Sequence, residues 1–327
     1  MKERILITGA SGFVGYHLIE AALHQNLEVF AAVRRSSQIE HLKHLDIQYT
    51  TPDFASVEAL KKDIEEKKYS YIIHAAGSTK APDKAAYTLV NTTYAVNLAS
   101  AATGTGVKKF VFISSLAALG PAPDNHSIIT ESQLPKPVTN YGRSKLVAET
   151  HLKVFEMSGL PLVTLRPTAV YGPRDKDIFI ILKTFTKGFE PYIGNNPQQL
   201  SFVYVTDLAR AAVQLALSNA VGSYNISDGN AYDRYALANI TKKLLQQKTL
   251  KLHLPVLLVK GIASLLETFS RKGSTPALNR EKLAELTAAN WNCSIEKLRN
   301  AIGYKPQYDL EKGLTEALEW YKKEKWL

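Results

Sequence analysis

The sequence is short of cysteine, of long apolar runs and of acid relative to base. Its one cysteine, Cys293, has no partner within the chain, which excludes a disulfide scaffold. It is expected to be a reduced, small core filler in a cytoplasmic protein. The longest greasy stretch, residues 254–266, is broken by Pro255, Lys260 and Gly261. Crossing a bilayer takes about 18 apolar residues in a row, so stable membrane insertion is not expected. The stretch reads as a buried or interface helix, with surface contact to a membrane as the lesser reading. No signal peptide is expected, because only Ile5-Leu6-Ile7 lie between the first charges and a glycine-rich turn. Repeats and low-complexity tracts are absent. The eight histidines and single cysteine show no metal-ligand spacing, so no metal is expected.

What is present is an ordinary globular composition. The chain has 327 residues, 45% hydrophobic and 21% charged, enough for a large core with a smaller appended unit and too apolar for disorder. Forty Lys and Arg against 30 Asp and Glu leave a net charge of +10. The basic residues are scattered pairs, such as Arg34-Arg35, Lys61-Lys62 and Lys67-Lys68, mostly beside acids. No basic run is interleaved with aromatics, so a nucleic-acid partner is not expected, and an anionic small molecule suits the charge equally well.

Short β-branched runs alternate with amphipathic segments through the first half. Residues 5–8, 28–33, 71–74, 110–114 and 162–166 read as strands, and 15–23, 56–67, 84–103 and 141–158 as helices. Repeated strand–helix–strand units with short loops specify an α/β fold, a doubly wound parallel sheet of Rossmann type covered on both faces. After Tyr171-Gly172-Pro173 the rhythm breaks: a helix at 177–188, a strand at 202–205, a helix at 207–217, and mostly helix from 229 onward. The expected organisation is a cofactor-binding domain of residues 1–171 and 204–228. A smaller, mostly helical substrate domain of residues 172–203 and 229–327 lies over the carboxyl ends of the strands, where such sheets bind ligands.

The first strand runs straight into Gly9-Ala10-Ser11-Gly12-Phe13-Val14-Gly15, which opens a helix. A dinucleotide site needs glycine for the tight turn, for close approach of backbone to pyrophosphate, and for helix–strand contact. The helix end then offers N–H groups and a positive dipole to the phosphates. Gly9, Ser11, Gly12, Phe13, Val14 and Gly15 are therefore the candidate phosphate site, spaced GxxGxxG where the commonest fingerprint is GxGxxG. The second strand continues into Arg34-Arg35-Ser36-Ser37, with no carboxylate for a ribose 2′-hydroxyl. Arg34 and Arg35 suit a 2′-phosphate, so NADP(H) is the expected cofactor and NAD(H) the alternative. Asp53 and Phe54, after the next strand, are candidates for the adenine amino group and ring.

Tyr141-Gly142-Arg143-Ser144-Lys145 places a phenol and an ammonium four apart, on one helix face. Free tyrosine has a pKa of about 10, and a cation held nearby favours the phenolate, which lets it trade a proton with a carbonyl or alcohol oxygen. The strand at 110–113 delivers Ser114-Ser115 to the carboxyl edge of the sheet, where a hydroxyl can hold the reacting oxygen. GASGFVG, HAAG at 74–77, SSLAALG at 114–120, YGRSK at 141–145 and RPTAVYGPRD at 166–175 stand in an order that resembles the extended short-chain dehydrogenase/reductase family across essentially the whole chain.

That resemblance implies Tyr141 as acid/base, Lys145 as the residue that binds the nicotinamide ribose and lowers the tyrosine pKa, and Ser115 as the substrate-orienting hydroxyl. It implies that Ala75, Ala76 and Gly77 pass beneath the cofactor and that Pro167, Thr168 and Val170 frame the nicotinamide amide. Thr79, Ser115, Leu116, Tyr141 and Tyr171 are the implied substrate-binding set. Asn91 matches an asparagine in the helix after HAAG, but Tyr94 stands where the family often has glycine, so local packing is expected to differ. A homodimer through the helices at 84–103 and 141–158 is implied as well.

Sugar-nucleotide 4,6-dehydratases resemble the chain but carry an acidic pair where Leu116-Ala117 stands. Epimerases usually carry Arg-Asp where Leu200-Ser201 precedes the strand at 202–205, although Arg174 or Lys183 could replace that arginine. The remaining resemblance is to dihydroflavonol-4-reductase and 3β-hydroxysteroid dehydrogenase relatives, supported by residues 275–280 and 302–306. The expected function is an NADP(H)-dependent oxidoreductase acting on a small-molecule ketone, aldehyde or alcohol. The alternatives are a nucleotide-sugar epimerase with tightly bound NAD and, with little support, a non-enzymatic cofactor sensor or nucleic-acid binder.

Overall fold

Successive residues of each central strand point to opposite faces, and here both faces are apolar, which is the pattern of a sheet buried between two helical layers. The computed structural model describes residues 2–269 and 279–327. Its elements run β1 (Arg4–Thr8), α1 (Phe13–His24), β2 (Glu28–Ala32), β3 (Gln48–Thr50), α2 (Val57–Lys67), β4 (Tyr71–His74), α3 (Lys84–Tyr87), α4 (Tyr94–Ala102), β5 (Lys109–Ile113), α5 (Asn140–Met157) and β6 (Leu162–Pro167). The second half adds β7 (Ala169–Tyr171), α6 (Asp177–Thr186), β8 (Phe189–Ile193), β9 (Gln199–Leu200), β10 (Phe202–Tyr204), α7 (Val205–Leu217), β11 (Gly222–Ile226), β12 (Tyr232–Asp233), α8 (Ala236–Leu245), β13 (Leu250–Leu254), α9 (Val256–Phe269), α10 (Arg280–Thr287), α11 (Glu296–Ile302) and α12 (Leu310–Lys323).

Seven strands form one parallel sheet in the order β11-β6-β5-β4-β1-β2-β3. Ile5, Ile7, Ile73, Val111 and Val163 face α1, α7 and α11, while Leu6, Ile72, Phe110, Phe112 and Leu162 face α2, α4 and α5. Each such side chain contributes about 1.5–3 kcal/mol by leaving water. A separate apolar cluster joins Tyr171, Leu182, Phe202, Tyr204, Leu314 and Tyr321, so the second half builds its own core from non-contiguous pieces. No helix among the described residues is long and apolar enough to cross a membrane.

Two expectations differ from what is observed. The helix expected at 84–103 is divided: α3, capped by the Asp83 side chain on the Ala86 N–H, passes through a π-helical turn at Thr88–Thr93 before α4 begins. The wider turn carries Asn91 fully inside, where it bonds Ser78 and Ser144. The stretch 254–266 is not buried: α9 buries Val259 and Ala263 but leaves Leu257 83% exposed. Of the 275–280 motif, residues 275–278 lie outside the described residues. Cys293 is buried with Leu116, Leu119 and Ile129, and burial pushes its thiol pKa up to about 12.

One polar contact crosses this core. Glu149 of α5 accepts from the Arg166 guanidinium of β6 at 2.6 and 3.0 Å, and from the Ser114 hydroxyl, with both ionic side chains almost wholly buried. Removing one partner of such a pair costs about 3–5 kcal/mol, because the other charge stays buried unpaired. Glu149→Ala is expected to lose that much stability in urea unfolding, and Glu149→Leu with Arg166→Met to recover most of it. A loss no larger than that of a surface pair, about 1 kcal/mol or less, would show that the contact does not hold α5 to the sheet.

Candidate active site

In the strand order, β1 lies between β2 and β4, so the chain leaves β1 in opposite directions and opens a crevice at its carboxyl end. Gly9 turns the chain there with φ +69°, and a Cβ on it would stand 2.8 Å from the Ala75 carbonyl. A Cβ on Gly15 would stand 2.1 Å from the Gly9 oxygen. No other residue fits those two places. Gly12 is the N-cap of α1, no side chain caps it, and the first turn holds no acid. Ser11, Phe13 and Val14 complete a loop whose free helix N-terminus suits a pyrophosphate. The residues present therefore fit a dinucleotide.

Arg34 and Arg35 follow β2, exposed and unpaired with any carboxylate among the described residues; the Arg34 N–H is held by Ser37 Oγ at 3.1 Å. Asp53 is exposed after β3 and accepts from the Ala55 N–H at 3.0 Å. Phe54 lies 6.0 Å from the His74 ring and 5.8 Å from Tyr94, so the tyrosine that departs from the family pattern packs beside the adenine candidate. Arg174, named in the sequence only as a possible substitute for the epimerase arginine, lies 4.1 Å above the Tyr16 ring. His41, which interacts with the Ser11 backbone, was not legible as a residue of this end. Burial first, then Arg174, His44 and Lys176, hold the His41 pKa below its ordinary value.

Ser115, Tyr141 and Lys145 come from the end of β5 and the start of α5. Thr139 caps α5 by accepting from the Gly142 N–H at 3.0 Å, which places Tyr141 in the first turn. Ser115 caps a short 3₁₀ turn at Leu116–Ala118, and its side chain faces the Tyr141 phenol closely enough to favour the phenolate. Tyr141 is partly exposed as a residue, but its phenol oxygen is enclosed, and burial pushes its pKa up to about 12 against the pull of Ser115. Lys145 Nζ donates to the Ile113 carbonyl at 2.9 Å and lies 4.7 Å from the Phe112 ring. Burial lowers its pKa to about 8, opposed by Glu149. The expected lowering of the Tyr141 pKa is thus not seen in this arrangement: the ammonium is turned toward the strand, and burial of the phenol wins.

Ala75, Ala76 and Gly77 leave β4 beside this pair; the Ala76 N–H bonds Thr8 Oγ1 at 3.0 Å, and a Cβ on Gly77 would stand 3.3 Å from Lys145 Nζ. His74 is buried, with its pKa lowered to about 3 by burial. Pro167 ends β6, Thr168 bonds the Ser201 carbonyl, and Val170 packs on the main core. The Thr79 carbonyl accepts from Tyr87, whose ring lies 6.4 Å from Tyr141; Tyr87 was missed because no local sequence signal places the end of α3 beside the start of α5. Leu116 is not brought to the reacting hydroxyls but packs against Leu119 and Ile129. Tyr171 is also elsewhere, its ring 1% exposed in the second core and its hydroxyl on the Asp309 carbonyl at 3.0 Å. Glu281 of α10 accepts from the Asn140 N–H at 2.8 Å and pairs with Arg143, a contact 141 residues distant in sequence.

Known proteins resemble this chain over its full length. A ceramide reductase of Caulobacter vibrioides is 26% identical over 99% of this chain and 96% of its own. A UDP-glucose 4-epimerase of Vibrio cholerae is 26% identical over 98% of this chain and 95% of its own. The solved UDP-glucose 4-epimerase of Thermotoga maritima shares the fold with a TM-score of 0.79 at 22% identity, covering 98% of this chain and 99% of the other. With its glycine turn at the sheet crevice matched by the family model over residues 5–227, the chain belongs to the NAD dependent epimerase/dehydratase family.

Proposed function

We propose that the protein is an NADP(H)-dependent oxidoreductase interconverting a ketone or aldehyde and an alcohol. The observation that carries this reading is the Ser115–Tyr141 hydroxyl pair, set one helical turn from Lys145 and next to Ala75-Ala76-Gly77. A nicotinamide dinucleotide held by the Gly9–Gly15 turn and by Arg34 and Arg35 would supply or accept the hydride. Tyr141 donates its proton to the carbonyl oxygen in reduction and takes it back in oxidation, while Ser115 hydrogen-bonds the same oxygen. A phenol with a pKa near 12 is protonated at neutral pH and so holds the proton that reduction requires, although burial leaves it a weaker acid than free tyrosine.

The similarity to an epimerase keeps a second reading alive, in which a retained NAD is reduced and reoxidised on one sugar. The positions that would grip a nucleotide diphosphate do not favour it. Leu200, where epimerases carry arginine, packs against the second core, and Ser201 beside it is 2% exposed and bonded to Asn292 and the Cys293 N–H. Arg174 is occupied with the Tyr16 and Trp320 rings. Tightly bound NAD released on denaturation, together with turnover of a UDP-sugar, would favour epimerisation. The ceramide reductase resemblance supports an apolar carbonyl substrate. Exposed Leu89, Val147, Val154 and Met157 on the outer side of the α4–α5 layer support a homodimer.

Three outcomes test this reading. Tyr141→Phe is expected to keep the thermal stabilisation by NADPH while turnover falls at least about 100-fold, the usual contribution of a positioned acid. Arg34→Ala with Arg35→Ala is expected to abolish most of the excess thermal shift of NADPH over NADH, since those guanidiniums pair with the 2′-phosphate alone. Lys145, with a folded pKa of about 8 against its ordinary 10.5, binds fewer protons folded than unfolded between those values. Stability attributable to it therefore rises with pH from about 8 to 10.5. Lys145→Met is expected to remove that rise in urea midpoints while destroying activity; an unchanged pH dependence would place the ammonium in water.

A further inference from the structure

Strand β13 and helix α9 leave one continuous apolar face uncovered. In the parallel β8–β13 ladder, Leu250, Leu252 and Leu254 stand opposite Phe189, Pro191 and Ile193, and residues two apart share a face. The other face of β8 carries Glu190 and Tyr192, both buried, so the leucine row points outward with Leu250 60% exposed. Pro255 leads directly into α9, where Leu257 and Leu265 are 83% and 59% exposed. Single exposed leucines are ordinary, but two paired rows continued by a helix form a patch that marks a binding surface.

The charge through β13 and most of α9 is basic, with Asp233 and Glu267 the nearest acids in sequence on either side. Residues 234–266 contain six Lys and Arg and no Asp or Glu. Lys242 and Lys243 are paired with Glu190 and Glu311, and Arg234 bonds backbone carbonyls. Lys248, just before β13, and Lys260, on α9, are exposed and pair with no carboxylate among the described residues. The same holds of Lys183 and Lys187, which precede β8. An apolar face rimmed by free lysines complements apolar chains beneath anionic headgroups.

We infer that this face docks on the surface of an anionic lipid bilayer, lying in the interface. Its geometry stands by itself; its purpose rests on the oxidoreductase reading. Helix α9 packs against α10, and Glu281 of α10 holds the first residue of the catalytic helix. The docked face is therefore one helix away from the start of α5, which sets Tyr141 near a phase that dissolves apolar carbonyl compounds.

The test is sedimentation of the full chain with vesicles of phosphatidylcholine alone or mixed with phosphatidylglycerol. Binding is expected only with the mixed vesicles and weakens with salt. Lys248→Gln with Lys260→Gln is expected to weaken it about five-fold per lysine. Leu257→Gln with Leu265→Gln is expected to weaken it at least about ten-fold through lost apolar burial. Neither pair touches the catalytic residues, so both variants keep the wild-type thermal shift with NADPH, which also reports that they fold. Absence of wild-type binding overturns the inference, as does binding that both variants retain. So does self-association in light scattering that Leu257→Gln with Leu265→Gln abolishes, which would make the face a contact between copies. Vesicle binding without turnover of any carbonyl compound upholds the docking and sinks the proposed reaction.

Discussion

The buried ion pair between Glu149 and Arg166 fixes how the catalytic helix meets the sheet, because it joins the one helix and the two strand ends that carry the chemistry. Tyr141, Lys145 and Glu149 are spaced four apart on α5 and share a face. Arg166 reaches Glu149 from β6, and Ser114 reaches it from the end of β5. Ser115 is the next residue, so locking Ser114 also sets the hydroxyl that faces Tyr141. Apolar packing alone is tolerant of sliding, since a leucine interlocks nearly as well half an ångström away. A fork of hydrogen bonds between a planar guanidinium and a carboxylate is not. The pair's cost in desolvation is offset by defining a single register between helix and sheet at the point where proton transfer needs one.

The phosphate loop is held by a different constraint, steric and not electrostatic. Gly9 and Gly15 have no room for a Cβ, so β1, α1 and the segment after β4 come together only when both are glycine. That close approach is what leaves the N-terminus of α1 open toward the crevice. Cations then stand around it from distant parts of the chain: Arg34 and Arg35 after β2, and Arg174 over Tyr16. Part of the net charge of +10 is thus gathered near a turn that fits phosphate.

The fold and the heart of the site were legible because they depend on short-range patterns. Short apolar runs alternating with amphipathic segments gave the parallel sheet, the glycines gave the turn, and the four-residue spacing gave the Tyr141–Lys145 pair. What was not legible depends on long-range packing. Nothing in Thr88–Thr93 announces the π turn that carries buried Asn91, and nothing in α3 announces that Tyr87 stands beside Tyr141. Glu281 contacts the start of α5 from 141 residues away. Tyr171 fell next to a family motif and was expected at the substrate, but the second core takes its ring. The direction of the Tyr141 pKa was missed for the same reason: spacing shows that a cation is near, whereas burial, which decides the balance here, is a property of the assembled site.

The longest apolar stretch carries the sharpest of these lessons. Hydropathy read 254–266 as a buried or interface helix, with membrane contact as the lesser reading, and the interior did not receive it, because α9 offers the protein only Val259 and Ala263 and has α10 as its neighbour. A chain that keeps leucines on the open side of β13 and α9, and keeps acids out of residues 234–266, bears a cost in solubility that a purely water-borne enzyme has no reason to bear. The same segment leads through α10 to Glu281 and the first residue of the catalytic helix. The family model, matched over residues 5–227, contains β5, β6 and α5, whereas this outer segment lies beyond it, where the fold leaves apolar surface unspent.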